Sequence, residues 1–201
     1  MNPTHSINKI PEQIRDESLI RVSGLDHDVN GTAGAAPKPG DGAASGPFFN
    51  ADDDELAKWI KSGGNIGVAS QGDLVLIDID DIEEWNSRVD VDLVDYVSVR
   101  SGGGGRYLYY RCEEWEVGAS LRKYNEEIFI IRAQNSFVVA PPSIHHTTGE
   151  QYIVEKDEPI QTIHSAALNR LYEIANPSEK QPEQGGSGGG SRDVGEEDIT
   201  G

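Results

Sequence analysis

Leu74-Val75-Leu76-Ile77-Asp78-Ile79-Asp80 is an apolar run that closes on two carboxylates spaced two residues apart. Its length and branched composition predict a buried strand. On a strand, side chains at i and i+2 share a face, so Asp78 and Asp80 point into one small volume. Two like charges held that close call for a cation between them, and paired carboxylates of this kind build Mg²⁺ or Mn²⁺ sites for phosphoryl or nucleotidyl transfer. The competing reading is a core strand that ends in polar residues where it meets solvent.

Working upstream, Asp52-Asp53-Asp54 precede Glu55-Leu56-Ala57-Lys58-Trp59-Ile60-Lys61, with Leu56, Trp59 and Ile60 on one face and Gly63-Gly64 beyond, which predicts an acid-capped amphipathic helix with a glycine stop. Asn65 to Ala69 reads as a strand neighbouring the Leu74–Asp80 strand, joined to it by a turn at Gln71-Gly72. Farther upstream lie a short helix at Pro11–Arg15, a strand at Leu19–Val22 and a Gly, Ala, Pro and Asp-rich loop from Asp26 to Gly46. Downstream, Ile82–Arg88 predicts a short helix, and strands at 96–100 and 107–111 flank the turn Ser101-Gly102-Gly103-Gly104-Gly105. Further strands are expected at 127–132, 137–140 and 151–154, then a helix at 166–175. Many strands with few helices in mixed order predict an α+β fold, a mixed and largely antiparallel sheet flanked by helices. The expected organisation is an N-terminal segment over 1–50, a core over 51–175 and an acidic Gly/Ser-rich tail over 176–201 that cannot bury enough surface to fold.

Acidic residues number 35 against 17 Lys and Arg, giving a formal charge of −18 and a sequence pI near 4.5. The acids are spread along the chain, as on proteins adapted to high salt, whereas a surface that mimics DNA or binds a basic partner concentrates them in a block. Cys112 is the single cysteine, so no intramolecular disulfide forms, and it reads as a small core or edge residue. No basic-then-apolar leader and no apolar run of membrane-spanning length occurs, so the expectation is a soluble cytoplasmic protein with no membrane partner.

Three further features carry chemistry. Consecutive glycines at 102–105 let backbone amides approach a ligand, although a plain flexible hairpin turn has the same composition. Arg132, at the end of an apolar strand, either salt-bridges an acid or binds phosphate. Phe137-Val138-Val139-Ala140-Pro141-Pro142-Ser143-Ile144-His145 is a strand that stops in a rigid corner and fixes where His145 points.

In this order, aliphatic-Asp-x-Asp, the glycine hairpin entering Leu108-Tyr109-Tyr110, Arg132 before an apolar strand into Pro-Pro-Ser-x-His, and Thr148-Gly149-Glu150-Gln151-Tyr152 resemble the N-terminal prim-pol domain of bifunctional DNA primase/polymerases, in the archaeo-eukaryotic primase superfamily. Gly64-Asn65-Ile66-Gly67-Val68 is similar to that domain's strand ahead of the acidic motif, and the resemblance covers about residues 52–154. It implies a metal-dependent nucleotidyltransferase of DNA replication, of a plasmid or virus. Asp78 and Asp80 would be catalytic and hold Mg²⁺ or Mn²⁺, while Gly103, Gly104, Gly105, Arg132, Ser143 and His145 would bind the nucleotide. DNA template and nucleotides are the implied partners, with a separate helicase, since no Gly-x-x-x-x-Gly-Lys-Ser/Thr loop occurs here. Two catalytic positions depart from the family pattern. Tyr107 stands where the resemblance implies a histidine, and Ile130 where it implies a third acid. Tyrosine still donates a hydrogen bond but carries no charge at neutral pH, and isoleucine ligates nothing. Regular alternation gives Glu126, not Glu127, the parity of Ile130. Two other readings follow: a catalytically degenerate module that binds nucleotide or single-stranded nucleic acid, and a metal-dependent phosphoesterase. Between Arg100 and Arg132 six basic residues stand against five acidic, and a stripe of Tyr107, Tyr109, Trp115 and Tyr124 either stacks bases or belongs to the core.

Overall fold

A computed structural model describes residues 6–25, 36–93, 97–113, 115, 119–123 and 126–176. The predicted C-terminal tail beyond Asn176, part of the glycine-rich loop and Tyr124 lie outside the described residues.

Among the described residues two antiparallel sheets and three α-helices make an α+β fold, in the order β1 (Leu19–Val22), α1 (Asp54–Lys61), β2 (Asn65–Ala69), β3 (Leu74–Ile79), α2 (Ile82–Arg88), β4 (Val97–Arg100), β5 (Arg106–Arg111), β6 (Ala119–Lys123), β7 (Glu126–Arg132), β8 (Phe137–Ala140), β9 (Ile153–Asp157) and α3 (Ser165–Ala175). The small sheet runs β1-β2-β8 and the large one β6-β7-β3-β5-β4-β9. Every pairing within them is antiparallel.

The apolar run is the central strand β3, and all six of its residues are buried. Leu74 and Leu76 face the small sheet in a layer shared with Ile20, Val22, Ile66, Val68, Val138, Tyr107 and Tyr109. Val75, Ile77 and Ile79 face the helices, packed with Leu108, Phe129, Ile131, Leu168 and Leu171. Burial on both faces explains why the strand is apolar throughout instead of alternating. Trp85 of α2 meets Phe129 edge to face at 5.1 Å. Asp53 caps α1 by accepting from the Glu55 N–H at 2.8 Å, and Asp81 caps α2 by accepting from the Glu84 N–H at 2.9 Å.

Several expectations need correction. β2 and β3 are consecutive but not paired: the chain leaves one sheet at Ser70 and enters the other at Leu74. Alternation specifies which face a residue takes, not which strand lies beside it. The N-terminal segment supplies β1, the strand expected at Leu19–Val22, to the small sheet, and Ile10, Ile14, Leu19, Ile20 and Val22 to its core. The helix expected at Pro11–Arg15 is a single 3₁₀ turn, Glu12–Ile14. β6 went unforeseen, and the strand expected at 151–154 runs over Ile153–Asp157. Of the two readings of the aromatic residues, the core one holds for those described: Tyr107 and Tyr109 are buried between the sheets, and Trp115 packs on the opposite, helical side.

Candidate active site

β3 places Asp78 between two neighbours in register, Tyr107 on β5 and Ile130 on β7. Directly opposed residues of antiparallel strands share a face, so the three sequence-aligned positions stand side by side. Arg132, two residues along β7 from Ile130, donates from Nε and Nη2 to Asp78 Oδ2 at 2.8 and 2.6 Å. Asp78 is 4 % exposed, and its Oδ1 is buried without a hydrogen-bond partner. Burial raises the Asp78 carboxyl above the usual range, and Arg132 opposes that shift.

Asp80 follows the last residue of β3, its N–H donating to the Ile128 carbonyl at 3.0 Å. The side chain reaches solvent, yet partial desolvation, then the charges of Asp78 and Glu127, push its carboxyl up to about 7. Asp80, Asp81, Ile82, Gly103, Gly104 and Glu127 line an open cleft of about 540 Å³.

The β4–β5 hairpin forms the second wall. Gly105 lies so close to β3 that an added Cβ would sit 2.4 Å from the Ile79 carbonyl oxygen. At Gly102 a Cβ would sit 2.6 Å from the Cβ of His145, so the hairpin rests on the corner that carries the histidine. Thr148 joins them, its Oγ1 donating to the Gly102 carbonyl at 2.9 Å and lying 3.3 Å from His145 Nδ1. Burial, then His146, lowers the His145 pKa, so this imidazole is neutral at pH 7. Tyr152 links the two halves of the site. Its ring stacks on Tyr107 at 5.9 Å and lies 6.0 Å from His145. Desolvation first, and Asp78 second, hold the Tyr107 hydroxyl well above its ordinary pKa, so it stays neutral.

Ser143 is placed differently from the other predicted nucleotide-binding residues. It is 1 % exposed, and its Oγ accepts from the Ile66 N–H at 2.9 Å and donates to the Ile66 carbonyl at 3.1 Å. Asn65 performs the same service one residue on. Its Nδ2 donates to the Ile144 carbonyl at 2.8 Å, and its Oδ1 accepts from the Ile144 N–H at 2.9 Å. Sequence reasoning missed Asn65, although a buried polar side chain opening a strand is the available signal. It also missed Glu127.

The orphaned Asp78 Oδ1, with the raised Asp80 beside it, is the donor set a small hard cation satisfies. The two carboxylates therefore fit a divalent metal, Asp78 through the oxygen that Arg132 leaves open. Among the described residues no three His, Cys, Asp or Glu side chains stand close enough to hold one ion as they are.

Asp80 gives a test that needs no metal. In EDTA its folded pKa of about 7 exceeds the ordinary 3.8 of the unfolded chain. The folded chain then binds the extra proton between those values, so stability falls as pH rises through that window and the deficit is complete above it. Asp80→Asn removes the deficit. Thermal melts should show a gain of roughly 2–4 °C at about pH 8, or about 1 kcal/mol once solvent screening is allowed for. Near pH 4 no gain is expected, and an equal gain at both pH values would rule out this charge as the cause.

Among the described residues no helix is long and apolar enough to cross a membrane. No curated protein matches the sequence. The family model for the N-terminal domain of bifunctional DNA primase/polymerases matches residues 39–169, a span that runs from ahead of α1 into α3 and takes in both walls of the cleft. With that span covering most of its 201 residues, the chain belongs to the bifunctional DNA primase/polymerase N-terminal family, a domain of DNA replication.

Proposed function

We propose that this chain performs divalent-metal-dependent nucleotidyl transfer, extending a DNA strand on a template. The observation that carries the reading is the buried, unpartnered Asp78 Oδ1 on β3, two residues from Asp80, which lines a cleft with Gly103 and Gly104 of the glycine hairpin. Asp78 and Asp80 would hold Mg²⁺ or Mn²⁺, which when bound lowers the pKa of an attacking 3′-hydroxyl and offsets charge on the triphosphate. Gly103 and Gly104 present backbone to the same cleft, where a side chain would keep a triphosphate away. Arg132 carries a fork suited to phosphate oxygens and stands one contact from the acids. His145 is neutral and so offers one N–H to a phosphate without adding charge. Ser143 and Asn65 fix the corner from behind, and Tyr107 orients Tyr152.

Primer extension by the full chain with deoxynucleotides, in Mg²⁺ and in Mn²⁺ and across low and high salt, tests this. Extension that Asp78→Asn removes is the expected result. Ile130 beside Asp78 favours a second reading, a module that binds nucleotide or single-stranded DNA without synthesis. Binding with no extension would establish that reading, and shortening of the primer would indicate a phosphoesterase. The evenly acidic surface fits a high-salt cytoplasm, and a separate helicase of a plasmid or virus is the partner that would expose template.

A further inference from the structure

We infer that Glu127, carried into the cleft by a β-bulge, is the third carboxylate of the divalent-cation site and takes over from the strand position that Ile130 occupies. The inference rests on the metal-dependent reading above.

Pairing with β6 shows the bulge directly. Leu121 faces Phe129 and Arg122 faces Glu127, so Ile128 is an extra residue in β7 with no partner position on β6. One inserted residue reverses the alternation beyond it. Ile128 and Phe129 are accordingly both buried in the helical-side layer, which successive residues of a regular strand would not be. Ile130 keeps its register opposite Asp78, and beyond the bulge Glu127 falls on the acidic face. The bulge is anchored where it matters: the Ile128 carbonyl accepts from the N–H groups of both Asp80, at 3.0 Å, and Asp81, at 3.3 Å. These two hydrogen bonds tie the displaced backbone to the end of β3, and Glu127 lines the cleft with Asp80, Gly103 and Gly104.

An acidic wall alone is not a site. The second observation lies deeper: Asp78 Oδ1 is buried and unpartnered on the same face. A carboxylate oxygen left without a donor is costly unless something positive meets it. Divalent cations such as Mg²⁺ keep several waters and take one or two carboxylates directly, so a third that does not converge on the same point still acts through a bound water.

Mn²⁺ binding to the full chain, followed by the electron paramagnetic resonance of free Mn²⁺ without nucleotide or DNA, tests the assignment. Glu127→Gln should weaken Mn²⁺ by about 10- to 100-fold, the range seen when a supporting metal ligand is lost, with the melting temperature preserved. Glu126→Gln should bind as the wild type does. Unchanged affinity in Glu127→Gln, while Asp80→Asn loses the ion, would overturn this inference and leave the proposed activity standing. Weakening by Glu126→Gln in place of Glu127→Gln would also overturn it, since β7 would then alternate without a bulge. Failure of the wild type to bind Mn²⁺ at millimolar concentration would overturn both readings together.

Discussion

Arg132→Met should lower the melting temperature at about pH 7.5 by roughly 6–12 °C, corresponding to about 3 kcal/mol. The reason is the partner it abandons. Asp78 is 4 % exposed and accepts two hydrogen bonds at Oδ2 from this one guanidinium, while Oδ1 accepts none. Removing Arg132 leaves a buried carboxylate with no neutralising charge, which costs more than the ion pair itself contributes. The pH dependence separates this cause from lost packing. Burial already raises the folded Asp78 pKa above its unfolded value, and loss of Arg132 raises it further. The ionised group destabilises the fold increasingly as pH climbs through that range, so the deficit should be largest in alkali and shrink toward pH 5. In the double variant Asp78→Asn/Arg132→Met most of the loss should return. A deficit that ignores both pH and the second substitution would place the role of Arg132 in packing.

Asn65→Ala should cost about 3 kcal/mol, again roughly 6–12 °C, through two hydrogen bonds broken at once. The Asn65 amide pairs with both backbone groups of Ile144, and Ile144 is 6 % exposed, so water does not replace the lost partners. The effect should spread along the corner. His145 follows directly in the chain, and its N–H donates to the Glu150 carbonyl at 2.8 Å. Amide hydrogen exchange should therefore accelerate at Ile144 and His145 well before it does in β3. Uniform acceleration across the large sheet would instead mean that Asn65 supports global stability and not the corner.

How much of this was readable in advance depends on the range over which each signal acts. α1 was legible because its cap, its apolar face and its glycine stop all lie within one short stretch. β3 and the glycine hairpin were legible for the same reason. Division of the strands between two sheets was not, because β2 pairs with β1 and β8 across long stretches of chain and nothing local in Asn65–Ala69 names either partner. The Arg132–Asp78 pair spans 54 residues, so the arginine could be read only as a salt bridge or a phosphate ligand. The bulge was hidden for a different reason. Ile128-Phe129-Ile130-Ile131 is apolar throughout, and a run without alternation carries no mark of where parity changes. Both aligned departures, Tyr107 and Ile130, do flank Asp78 as the alignment placed them, and the carboxylate that shares their face comes from a residue that regular counting had sent to the other side.

The small sheet has a practical consequence for anyone dividing this protein into fragments. Its middle strand, β2, holds the histidine corner through Asn65 and Ser143, and one flank of that strand is covered by β1. A fragment cut at residue 51 would strip β1 away and leave a fully buried strand, Asn65–Ala69, with an open edge and bare apolar side chains. Such an edge recruits strands from other molecules, so the shortened protein would gain a self-association surface. Ile10, Ile14 and Leu19 belong in any expressible unit, however dispensable the opening residues look beside the acidic pair.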